Sequence, residues 1–438
     1  MLKTLRNAFR IKEIRRRLFY VLLMLVVVRV GTQLPVPGVN ADFFKEWFES
    51  QTGDAFNFLD AFTGGSFSSF SIFALNITPY ITSSIIIQLL TIAIPQLEEM
   101  QRDGEDGRKK LVAITRYVTV GLSLFEGLAM TIGFGNQGLI TDMNVGKVIV
   151  VVASLTAGSA FLMWVGEQIN EKGIGNGISI VLTINIVSRI PSDLVSLYET
   201  FVKGKTIARG ALALLIIAAV IVAMVVLVVI LNDATRKIPV QYSKKMQGRK
   251  TFGGQSTHIP LKVNTAGVMP VIFASTLMSM PNIIASFAGY SGGTGIGAQI
   301  LNTMNSNNWF SLTNPVYSIG LVIYILLLIF FAYFYTSITF NPLEVADNMK
   351  KQGGFVPGFR PGKPTVDYLQ NVLNYIIFIG AVGLTIIAII PFFFNGVFGA
   401  DVSFGGTSII IVVSVILETM NQLESMMLVR NYRGFLND

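Results

Sequence analysis

Three acidic residues stand in or beside long apolar stretches: Glu126, Glu167 and Glu418. Ionisable groups there mark proton or ion relays, or the walls of water-filled cavities, because a charge in hydrocarbon is expensive. Glu167 falls at the end of its apolar run, where solvent reaches it. Glu418 shares a helical face with Gln422 and Ser425, which reads as a wet wall. Glu126 lies within its run and favours an ion-coupled transporter with a midplane site. Two turns, Gly173-Ile174-Gly175-Asn176-Gly177 and Gly293-Thr294-Gly295-Ile296-Gly297, have the composition of phosphate-binding loops. Neither follows a strand of a βαβ unit, the setting that this chemistry needs. His258 is the one histidine and sits in a polar stretch, where it reads as a surface residue. No cysteine is present, which excludes disulfides and thiolate metal sites. No catalytic set and no cofactor site is legible, and the chain reads as a non-enzyme.

A different task, passage rather than reaction, is suggested by Asp60–Pro95, DAFTGGSFSSFSIFALNITPYITSSIIIQLLTIAIP. Up to Ser71 the stretch is small and polar, with phenylalanines between. From Ile72 to Ile94 it has about the ~20 residues that a membrane-spanning helix needs. At a helical repeat Ile77, Ile81, Ser84, Gln88 and Thr91 share one face, apolar at one end and polar at the other. This suits a helix lining a cavity that is wet at one end and narrow at the other. The same side chains also bond neighbouring helices in membranes. The face Ile411, Val415, Glu418, Gln422, Ser425 repeats the gradient, and Ile178, Leu182, Asn185, Arg189 ends polar on the opposite side of the membrane. Two funnels meeting at an apolar waist would produce all three patterns.

The elements that must position these residues are membrane spans. The chain has 438 residues, 52% hydrophobic and 13% charged, where soluble domains carry roughly 25% charged residues. Ten spans are expected: Leu18–Val36, Ile72–Ile94, Tyr117–Phe134, Val148–Val165, Ile178–Ile190, Ala211–Leu231, Val268–Ala288, Val316–Ile338, Tyr368–Phe394 and Thr407–Leu428. The basic N-terminus and the apolar run after it lack a small-residue cleavage site, so no cleavable signal is expected. Most of the 33 Lys and Arg gather on one face, in the N-terminal arm and the loops after spans two, six and eight. That face is expected to be cytoplasmic, with both termini. The loops 232–266 and 341–366 are long and basic. The first suggests a hairpin, through alternating Ile238, Val240 and Tyr242; the second, KKQGGFVPGFRPGKPT, an irregular projection. Such tips suit phosphate-bearing RNA or an acidic protein.

Several long blocks then occur in order: NITPYITSSIIIQLL (76–90), GIGNGISI (173–180), QSTHIPLKVNTAGVMP (255–270), GGFVPGFRPG (353–362) and GGTSIIIVVSVI (405–416). With them the chain resembles the SecY family, central subunits of the bacterial protein-conducting channel. The resemblance implies an all-α polytopic membrane protein, its ten transmembrane helices forming two inverted five-helix halves around an hourglass pore. The implied divisions are a cytoplasmic arm (1–17), an N-terminal half (18–209), a C-terminal half (210–428) and a cytoplasmic tail (429–438). A plug is implied at about 56–71, including Thr63, Gly64, Gly65, Ser66, Phe67 and Ser68. A pore ring is implied at Ile77, Ile81, Ile178, Leu182, Ile272 and Ile411, with Leu182 standing where many members have isoleucine. A lateral gate is implied between spans two and three and spans seven and eight. Arg360 of the VPGxRPG motif, with Lys244, Lys245, Arg249 and Lys250, would dock cytoplasmic partners. Implied partners are SecE-like and SecG-like small membrane subunits, the motor ATPase SecA, the ribosome, signal sequences, nascent chains and lipid, at the inner membrane. No cofactor is implied. The implied function is to pass unfolded secretory chains across the membrane and release hydrophobic segments sideways into lipid. The alternative class is a secondary transporter.

Overall fold

The computed structural model describes residues 2–50, 60, 63–140, 143–203, 207–242, 245–247, 250–252, 256–287, 295–310, 315–398 and 406–434. Each of the ten expected spans is helical: Lys12–Gly31, Thr78–Ala93, Glu105–Phe134, Val145–Lys172, Gly177–Phe201, Ile207–Asp233, Met269–Phe287, Ser318–Thr339, Lys363–Phe398 and Gly406–Gly434. Among the described residues seven helices are long and apolar enough to cross a membrane, eight if the bent pair Thr78–Ala93 and Pro95–Arg102 counts as one. A helix suits hydrocarbon because it satisfies its own backbone groups. The hydroxyls follow the same rule. Ser83 donates to the Pro79 carbonyl at 2.7 Å, Thr91 to Ile87 at 2.6 Å and Thr119 to Thr115 at 2.7 Å, each one turn back.

Two spans are shorter than their apolar runs. Span one ends at Gly31, and residues 34–36 instead pair with 70–72. The Val36 N–H donates to the Phe70 carbonyl at 3.1 Å and the Ile72 N–H to Leu34 at 2.9 Å. Pro35 and Pro37 lack the N–H that a continuing helix would use. Span two begins at Thr78 rather than Ile72. Asn76 adopts φ +53, a left-handed conformation that ends regular structure, and Pro79 fits the first helical turn. Ile77 is therefore the cap residue of this helix and not part of its face. Beyond Ala93 the chain turns by 102° into Pro95–Arg102.

The loop after span six forms a hairpin, as its alternation predicts. Strand β1 (Thr235–Tyr242) pairs antiparallel with β4 (Ser256–Lys262), and short β2 (Lys245–Gln247) pairs with β3 (Lys250–Phe252). The 341–366 loop is more regular than its composition suggests. It folds into the helix Pro342–Lys351 and strand β5 (Gly354–Phe355), which joins the other edge of β1. Asn341 caps that helix, accepting from the Leu343 N–H at 3.1 Å. Among the described residues an otherwise helical protein thus carries two small sheets in its loops, β4-β1-β5 and β2-β3.

The largest apolar cluster takes buried residues from every span except three, among them Val28, Ile81, Leu162, Ile186, Val228, Phe273, Leu328, Leu384 and Ile411. A second cluster joins Phe44, Phe67, Phe70, Met130 and Phe134. A third, with Ile238, Val240, Met349 and Val356, fastens the sheet to span nine. Span six keeps Leu212, Leu215, Val222 and Ile230 exposed, an apolar surface suited to lipid.

Candidate functional site

The six residues of the expected ring come from four spans and one cap. Ile77, Ile81, Leu182, Ile272 and Ile411 are all buried in the largest cluster, and Ile178 packs against it partly buried. Ile178 and Leu182 lie one turn apart on span five. Ile272 lies in the first turn of span seven and Ile411 in the second turn of span ten. Aliphatic branches fill this junction and offer no hydrogen bond to water, so such a constriction empties and resists ions.

The flanks of the junction are polar. On span ten Glu418, Gln422 and Ser425 are exposed, as a wet wall requires. On span two Gln88 and Ser84 bond each other at 3.4 Å. Thr91, expected on the same wet wall, is buried instead, because its hydroxyl is satisfied within its own helix. Gln422 also explains one glycine-rich turn. Its Oε1 accepts from the Gly175 N–H at 2.6 Å, and Asn170 accepts from Gly177 at 2.8 Å. Asn176 caps span five through the N–H of Ile178 at 3.2 Å. The turn is thus a splice between spans four, five and ten and not a phosphate cradle. A Cβ on Gly177 would lie 2.0 Å from the Gly166 carbonyl oxygen, so backbone would have to move. We expect Gly177→Ala to cost about 1–3 kcal/mol. Thermal unfolding of the extracted protein will show a lowered midpoint, and an unchanged midpoint would contradict this packing.

The small polar stretch is seated on spans one and five. A Cβ on Gly64 would fall 2.9 Å from Asn185 Cα and 3.0 Å from its Cβ, and Gly64 has φ +67, a conformation natural to glycine. The Arg29 guanidinium donates to the Gly64 carbonyl at 3.3 Å. Asn185 donates to Asn76 Oδ1 at 3.2 Å. Arg189 pairs with the buried carboxylate of Asp60. Thr63, Gly64, Ser66 and Phe67 are buried, and Gly65 and Ser68 half-buried. Part of the expected plug, 56–59 and 61–62, lies outside the described residues. Asp60 and Asn76 were not singled out from sequence. The signal was there in Arg29 and Arg189, two charges in apolar surroundings that need partners.

The basic loops form the opposite end. Arg360 is exposed on the turn between β5 and span nine, and its carbonyl accepts from Thr365 Oγ1 at 2.8 Å. Val356 is buried beneath the turn, and the ring of Phe359 stacks on Tyr368 at 4.1 Å. A rigid base therefore presents this arginine. Lys245 and Lys250 belong to β2 and β3, and Lys244 and Arg249 lie outside the described residues. Glu167, expected to be merely solvated, instead bridges to Arg116 on span three at 2.7 Å. Glu126 is partly buried and makes no ion pair among the described residues. Span seven packs against span three.

Similarity to known proteins covers the whole chain. The family model described as SecY matches residues 71–420. The protein translocase subunit SecY of Bacillus subtilis is 46% identical over 450 residues, and that of Halalkalibacterium halodurans 44% over 445, each covering 100% of both chains. Among solved structures, "The structure of a protein conducting channel" covers 94% of this chain and 92% of its own, at 17% identity and a TM-score of 0.64. Sec61 in the canine ribosome-channel complex from the endoplasmic reticulum gives 17% identity and a TM-score of 0.62 over 94% of this chain and 92% of that one. With a family model matched over residues 71–420 and full-length relatives of a single description, the chain belongs to the SecY family.

Proposed function

We propose that this chain is the protein-conducting channel of a translocase, passing unfolded secretory chains across the membrane and releasing hydrophobic segments sideways into lipid. The observation that carries the reading is the aliphatic junction, where residues of spans two, five, seven and ten meet between polar flanks. Ile77, Ile81, Ile178, Leu182, Ile272 and Ile411 form its ring. Flexible aliphatic side chains can deform around a passing chain and close again behind it. The stretch around Thr63–Ser68 seals the outer side as a plug. The halves 18–209 and 210–428 separate at the seam between spans two and three on one side and spans seven and eight on the other, and an apolar segment leaves there because lipid suits it better than water.

The chain sits in the inner membrane, with the arm 1–17 and tail 429–438 in the cytoplasm. Small membrane subunits resembling SecE and SecG accompany it. It has no legible nucleotide site, so a motor of the SecA type or a ribosome supplies the energy. Either docks on Arg360, Lys244, Lys245, Arg249 and Lys250, which suit rRNA phosphates and acidic protein surfaces. Reconstitution into vesicles with a motor and a secretory substrate tests the reading. Protease-protected substrate is expected inside, and vesicles that protect none would contradict it. Arg360→Glu is expected to reduce motor-driven export while its own membrane insertion stays normal. Loss of one exposed charge contact and gain of a repulsion is worth about 1–2 kcal/mol, or roughly 5- to 30-fold in docking. Parental export rates at limiting motor concentration would remove Arg360 from the docking surface.

A further inference from the structure

The segment from Asp60 to Ser71 has a root and a tip held by different physics. The root is aromatic. Phe67 and Phe70 pack with Phe44 and Phe134 at ring separations of 5.0 to 6.2 Å, and the Val36 N–H holds the Phe70 carbonyl. The tip, Asp60 with Thr63–Ser66, is held by charged and polar contacts. The Asp60 side chain is 1% exposed. One of its oxygens accepts from the Ser68 N–H at 2.8 Å and the other meets the Arg189 guanidinium. Arg29 of span one also donates to the Gly64 carbonyl. The tip is thus gripped between spans one and five, while the root belongs to a packed core beside span three.

We propose that Asp60 and Arg189 form an electrostatic latch that holds the plug tip against span five, with Arg29 as its second clasp and Phe67–Phe70 as the hinge. The inference rests on reading this segment as the plug. The two grips differ in how they let go. Withdrawing Phe67 and Phe70 would leave a cavity in a close-packed core. Parting Asp60 from Arg189 exchanges the pair for water, provided the outer funnel is filled when the tip leaves. The arginine is not stranded, because Asp193, one turn further along span five, also acts on its charge. A tip held by charge and a root held by packing let the seal swing without unfolding its anchor. Asp60 and Arg189 are positioning residues, since neither is required to touch the translocating chain.

Resting ion leak through vesicles tests the latch, using the full chain purified with the membrane subunits that accompany it. Leak is normalised to folded protein. Asp60→Asn and Arg189→Gln should each raise it by roughly 5- to 150-fold, the range of ordinary coupling to a two-state element. Arg189→Lys keeps the charge and should stay near the parent. The swap Asp60→Arg with Arg189→Asp should recover most of the tightness that either single change loses, an outcome that a merely structural role would not give. A swap no tighter than the single variants overturns the latch. Both neutral variants remaining tight, while deletion of Thr63–Ser66 leaks, overturns the latch and leaves the plug standing. A deletion variant as tight as the parent overturns the plug reading as well.

Discussion

Oxidation of a Gly64→Cys, Asn185→Cys double variant will stop export, and a reducing agent will restore it. Asn185 Cβ lies 3.0 Å from where a Cβ on Gly64 would stand, and a disulfide needs about 3.5–4.5 Å between such atoms. A small outward shift of the tip therefore satisfies the bond. The parent chain has no cysteine, so the only thiols present are the two introduced. Once formed, the bond ties the proposed plug to span five, and the tip cannot leave when a substrate arrives. Export should fall to the level of empty vesicles. The reduced variant should work but leak more than the parent, because a side chain at Gly64 enters a left-handed backbone position and crowds span five. A fully oxidised variant that exports at the parental rate would show that this segment need not move.

The second large effect concerns the waist. Ile81 is 8% exposed and Ile411 1%, and both belong to one cluster. Replacing both with asparagine puts two amides into the proposed constriction, which stays closed by holding no water. Each unsatisfied amide costs about 1–3 kcal/mol in the closed state, which raises the open population roughly 5- to 150-fold per residue. Ion leak should rise accordingly, and weakly apolar signal sequences should be accepted. The control is Ile86→Asn, about 140° round the same helix from Ile81. Equal leak from control and double variant would sink the ring, and so would an abundant, ion-tight double variant.

The order of spans was legible because most are long apolar runs, and hydrocarbon leaves the backbone no alternative to a helix. Their ends were less so. Ile72–Ile77 is apolar enough to be helix, but Asn76 and the pairing of 70–72 with 34–36 take it out of the span. The exposed polar face of span ten could be read from Glu418, Gln422 and Ser425. The same logic placed Thr91 wrongly, since a threonine can bond the preceding turn and needs no water. The regular part of 341–366 was hidden by glycine and proline, which punctuate a short helix and strand there. The seat of the proposed plug was the hardest to see. Asp60 and Arg189 are far apart in sequence, and nothing local says that they meet. Glycine in GIGNG was visible as a motif, but its reason, close approach to Gly166, is a tertiary fact.

The account stands on a chain passing through the aliphatic junction. The most direct measurement places a photo-crosslinking residue singly at Ile81, Leu182, Ile272 and Ile411, and arrests a secretory chain halfway across. Phe125, 69% exposed on span three, serves as the lipid-facing control. The account predicts crosslinks to the arrested chain from all four junction positions and none from position 125. Crosslinks from position 125 with none from the junction would contradict it.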